Sequence, residues 1–97
     1  MNKPLLRLDF LSEFMNSMLD PLSPEEFCRT WVYKKSGICP GEYGYRKACC
    51  NLLSELTGYG YNTCNNWLSG TEPPRLACLY LRSIDILWRI GEFLPER

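Results

Sequence analysis

The 97-residue sequence contains no histidine. Histidine triads, imidazole acid–base chemistry and histidine-ligated metal go with it. No two of its six cysteines form a C-x-x-C pair; they fall at Cys28, Cys39, Cys49, Cys50, Cys64 and Cys78. That removes zinc-knuckle and thioredoxin-like patterns. Cys49 and Cys50 are adjacent and cannot bridge each other without strain. Cysteine also stays below the roughly 8–10% of a disulfide scaffold. The expectation is reduced thiols serving as small buried hydrophobes.

Long apolar runs are missing too. None approaches the ~18 residues of a membrane span. The first apolar stretch is interrupted by Arg7, Asp9 and Glu13, so it lacks the core of a signal peptide. A cytoplasmic protein with no membrane partner is expected. Glu42, Glu55 and Asp85 have no recognisable partner constellation, and there is no phosphate loop or metal set. No enzyme, cofactor, metal or small-molecule substrate is expected.

Excess charge of either sign is also absent: eleven Lys and Arg balance eleven Asp and Glu. Nucleic-acid binders are usually basic. The distribution is uneven, however. Residues 1–26 carry two basic and five acidic side chains, residues 27–50 five and one, and residues 51–97 four and five. Residues 27–89 alone hold eight basic against four acidic. Zero net charge therefore reads as a limit on non-specific affinity, not as an argument against DNA.

What is present is a hydrophobic fraction of 45%, enough for one folded domain. Its apolar residues repeat with a helical period and nowhere alternate as in a strand. The pattern predicts an all-α, compact bundle of about five helices. The first, Leu5 to Leu19, has a stripe of Leu8, Leu11, Met15 and Met18 that Leu22 extends as a heptad. Residues 1–22 are thus expected to be an amphipathic helix that packs on the domain or mediates a homodimer or protein contact. Residues 23–97 form the domain proper.

The second helix follows Ser23-Pro24-Glu25-Glu26, a capping box with proline at the first helical position. Phe27, Cys28, Trp31 and Val32 form its inner face, and Gly37 ends it. The third runs from Tyr43 or Tyr45 to Thr57 and the fourth from Tyr61 to Ser69. The fifth is expected to take Thr71 as cap and Pro73-Pro74 in its first turn. It should run to Phe93 with Leu76, Leu79, Tyr80, Ile84, Leu87 and Ile90 as one inward stripe, widened by Ala77, Leu81 and Trp88.

The stretch from Leu53 to Gly70 has the spacing of two helices crossing at a sharp turn. Ser54 is the small residue at the crossing. Gly58, four positions on, tolerates a left-handed backbone. Tyr59 follows as an apolar plug, and Cys64 and Trp67 face the preceding helix. These needs are those of a helix-turn-helix on the third and fourth helices. The segment resembles the helix-turn-helix of lambda-repressor-like and lac-repressor-like regulators, which read Ala-x-x-x-Gly-Val-Ser-x-x-Thr-Val-x-x-x-Leu-x-Gly. Ser54 stands for the alanine, Gly58 for the turn glycine and Tyr59 for the valine. Gly60 stands for the serine, Thr63 for the threonine and Cys64 for the second valine, with Leu68 and Gly70 closing the motif. The likeness covers about 20 residues. It implies sequence-specific double-stranded DNA binding by a small transcriptional regulator.

The second helix of this motif has no Arg or Lys. It carries Asn62, Asn65 and Asn66 instead, although asparagine is a poor helix former. Asparagine pairs with N6 and N7 of adenine in the major groove. Tyr61, Asn62, Asn65 and Asn66 are the expected base readers, with a leaning to A·T. Lys34, Lys35, Arg46, Lys47, Thr63 and Arg75 are the expected phosphate contacts. A different reading of the same residues is a protein-interaction module that has this fold and has lost DNA binding.

Overall fold

The structure, a computed structural model, describes residues 20–93. Within them the chain is helical and has no strand: α1 (Pro24–Ser36), α2 (Tyr45–Thr57), α3 (Tyr61–Leu68) and α4 (Arg75–Phe93). The helix expected over residues 5–19 lies outside the described residues. None of the described helices is long and apolar enough to cross a membrane.

Local chemistry accounts for the ends of these helices. The Glu26 N–H donates to Ser23 Oγ at 3.1 Å, which satisfies one of the free donors of the first turn of α1. Glu25 and Glu26 lie at its N-terminus and Lys34 and Lys35 at its C-terminus, each matched to the helix dipole. Gly37 and Gly58 cap α1 and α2 in the left-handed region, with φ of 80° and 83°. Glu42 closes the loop before α2 by accepting the Cys39 N–H at 2.8 Å.

The start of α4 differs from expectation. Pro73 and Pro74 precede the helix instead of sitting in its first turn, and the first helical residue is Arg75. The Pro74 carbonyl accepts from the Cys78 N–H at 3.3 Å, so Pro74 holds the cap position. Thr71 instead closes the end of α3, its N–H donating to the Asn66 carbonyl at 2.9 Å.

The core is built from one face of each helix. Phe27, Cys28, Trp31 and Val32 of α1 meet Cys49 and Leu53 of α2, Cys64 and Trp67 of α3, and Ala77, Leu81 and Ile84 of α4. Burying a side chain of this size contributes about 1.5–3 kcal/mol. Leu22 joins the same core. Trp88 packs over Phe27 and Trp31 at ring-centroid distances of 5.6 and 5.2 Å.

The inward stripe of α4 is a correction. Of the row Leu76, Leu79, Tyr80, Ile84, Leu87 and Ile90, only Ile84 is buried; Leu76, Tyr80, Leu87 and Ile90 are exposed. The face that enters the core is Ala77, Leu81 and Ile84, with Trp88 against it. Both rows are apolar, and α4 turns inward the one that also carries Asp85. That carboxylate is 1% exposed. Its Oδ1 accepts from Trp31 Nε1 at 2.9 Å and from Arg89 Nε at 2.9 Å, and its Oδ2 from Arg82 Nη1 at 2.9 Å. A buried carboxylate needs such partners, and this set locks α4 onto α1.

Candidate nucleic-acid interface

α3 is held in place by its neighbours more than by its own propensity. Gly60 at its N-terminus supplies no side-chain cap. Three asparagines in the short stretch Tyr61–Leu68 add little. Cys64, fully buried, and Trp67, 7% exposed, fix one side of the helix into the core.

The turn before it is tied from several directions. The Gly58 N–H donates to the Ser54 carbonyl at 2.9 Å. The Ser54 hydroxyl donates to the Tyr59 carbonyl at 2.7 Å, and the Tyr59 N–H donates to Thr57 Oγ1 at 3.2 Å. Ser54 is therefore more than a small residue at the crossing: its hydroxyl staples the turn. Tyr59 departs from the expected plug. It is 41% exposed, and its ring meets the Trp67 ring edge-on at 5.1 Å. A phenol whose hydroxyl stays solvated cannot sink as a valine does.

The opposite side of α3 is polar and open. Tyr61, Asn62, Thr63 and Asn66 are exposed. Asn65 is half-buried, and its side chain is engaged. Its Oδ1 accepts from Arg46 Nε at 2.7 Å and from the Cys50 thiol at 3.7 Å. Arg46 Nη2 donates to the Asn65 carbonyl at 3.0 Å and also to the Ser69 hydroxyl. Arg46 of α2 thus clasps the C-terminal turn of α3, where carbonyls lack intrahelical partners. Its guanidinium fixes the angle of the helix, and Ser69 is a partner that the motif alone did not single out.

The remaining basic residues divide into two groups. Lys47, beside Arg46, and Arg75, at the start of α4, are exposed. Lys34 and Lys35 turn instead to the far end of α4. Lys34 Nζ pairs with Glu92 Oε2 at 3.0 Å and lies 4.6 Å from the Trp31 ring centroid. Lys35 Nζ lies 4.2 Å from the centroid of Trp88. Both amines sit over aromatic faces, that of Trp31 buried and that of Trp88 half-buried, an arrangement the ring quadrupole favours.

Behind Arg46, Cys28 and Cys49 line a cleft of about 100 Å³ with Tyr45, Arg46 and Leu68. The neighbouring Cys28 thiol holds the Cys49 thiol down, to about 7, with help from Tyr45 and Arg46 and against the effect of burial. The hydrogen-bonded Cys49 sulfur and burial push the Cys28 thiol well up. Among the described residues no group of three His, Cys, Asp or Glu side chains is placed to hold a metal ion. No family model, curated protein or solved structure matches the chain.

Proposed function

We propose that this protein binds double-stranded DNA sequence-specifically through a helix-turn-helix made by α2, the turn Gly58–Gly60 and α3, as a small transcriptional regulator. The observation that carries the reading is the two-sidedness of α3. Cys64 and Trp67 bury one side, and Tyr61, Asn62, Thr63 and Asn66 stand exposed on the other. A helix presented in this way fits the major groove, where Asn62 and Asn66 are the adenine readers. Thr63, Lys47 and Arg75 meet backbone phosphate. Asn65 and Arg46 act as positioning residues, since each already spends its side chain on the other.

Binding should be tested by selecting fragments from random duplex DNA at two salt concentrations. The expected result is an A·T-leaning motif, with affinity that falls steeply as salt rises. Lys47→Ala should weaken binding to all sequences alike and lower the salt slope by about one. The interaction-module reading has an observation of its own, the exposed apolar row on α4. No enriched motif at either salt concentration, together with a stable protein complex, would favour that reading.

A further inference from the structure

α4 is apolar on two faces. One lies in the core. The other is the row Leu76, Tyr80, Ser83, Leu87 and Ile90, spaced by four and three residues along one side of the helix. Leu76 is 77% exposed, Tyr80 49%, Leu87 64% and Ile90 43%. An apolar row of this length marks a contact surface.

The row has the features of a surface that meets itself. In either direction it reads two large side chains, one small one and two large ones. Nothing in it opposes burial. The Ser83 hydroxyl already donates to the Leu79 carbonyl at 3.1 Å, so covering it leaves no hydroxyl without a partner. Between Leu76 and Gly91 the charged side chains are Arg82, Asp85 and Arg89. They are bound together through Asp85, on the other side of the helix from the row. The two ends of the row are also complementary. Beside its N-terminal half lies an open cleft of about 540 Å³, walled by Leu56, Thr57 and Tyr59 on one side and by Leu76 and Tyr80 on the other. Its C-terminal half supplies the exposed apolar side chains Leu87 and Ile90.

We infer that this face pairs with the same face of a second copy, the two α4 helices running antiparallel across a two-fold axis at Ser83. Ser83, the smallest residue of the row, lets the helices approach where they cross. Leu76 then faces Ile90 of the second copy, and Tyr80 faces Leu87 of the second copy. Leu87 and Ile90 of each copy thereby reach the cleft of the other, so one interface fills both clefts. A parallel pair would set cleft against cleft. The exposed parts of the row and the cleft walls amount to on the order of 600 Å² per copy, against about 800 Å² per partner in a standard interface. A reversible dimer is the expected result.

Sedimentation equilibrium of the full chain, without DNA, tests the pairing. The dimer fraction should rise over a ~100-fold range of protein concentration. On a two-fold axis residue 83 meets its own copy. Ser83→Lys and Ser83→Glu should therefore each weaken dimerisation at least ~10-fold by like-charge repulsion. An equimolar mixture of the two should restore it as a mixed dimer. Leu87→Ser should weaken it as well, and carries the test if a charged variant loses its helical circular dichroism. A monomer at every concentration, a dimer unchanged by these substitutions, or charged variants that stay monomeric when mixed would overturn the proposal.

Discussion

At the scale of single residues, one carboxylate does more for the fold than any other polar group described. Asp85 accepts from Trp31, Arg82 and Arg89 while almost wholly buried. Asp85→Ala leaves the indole N–H and two guanidinium groups without their acceptor. Urea denaturation should show a loss of about 3 kcal/mol. Part of this network is legible in the sequence, because Arg82, Asp85 and Arg89 stand three and four residues apart on one helix. Trp31 is not, since only the packing of α1 on α4 brings it there. The cysteines give a second residue-scale prediction. Cys39 is half-buried and the other five are buried. In the native protein Cys39 should react with a thiol reagent first, and the rest only as the protein opens. Equal rates for several thiols would contradict the packing described.

At the scale of elements, the turn and the two helices it joins were the most legible part of the chain. Glycine at a required left-handed position, a small residue at the crossing and buried residues three apart are all local demands. Gly58 shows the first directly. Its φ is 83°, and a Cβ added there would meet nothing within 4 Å. Gly58→Ala should therefore cost only the backbone term, about 1–2 kcal/mol by thermal or urea unfolding. Gly60 is the opposite case. Its φ of −69° and ψ of 162° already suit an N-cap, and space around it is open. Gly60→Ser should raise stability by a few tenths of a kcal/mol. What local demands did not reveal is which apolar face of α4 turns inward. Ala77, Leu81 and Ile84 and the row from Leu76 to Ile90 have the same helical period, and periodicity shows that a face exists without choosing between two. Nor could spacing show that Lys34 and Lys35 rest on Trp31 and Trp88, because those contacts join distant parts of the chain. The same holds for Arg46 and Asn65, whose bond depends on how α2 meets α3.

At the scale of the whole molecule, a neutral chain presents a polar helix edge on which, among the described residues, part of the basic charge is already engaged. Arg46 is committed to α3 and Lys34 to Glu92. On the proposed DNA-reading role, affinity would come from base contacts more than from general attraction to phosphate. On this account Arg46→Ala acts through orientation. It should weaken binding and blur the recovered motif while the salt slope changes little, whereas loss of a phosphate contact would lower the slope. The central claim is that the exposed side of α3 reads bases. Parallel selections from random duplex DNA with the unmodified protein and with Asn66→Ala test it most directly. The account predicts a motif in which one adenine position becomes degenerate for Asn66→Ala and the others persist. Identical motifs from both proteins, or none from either, would contradict it.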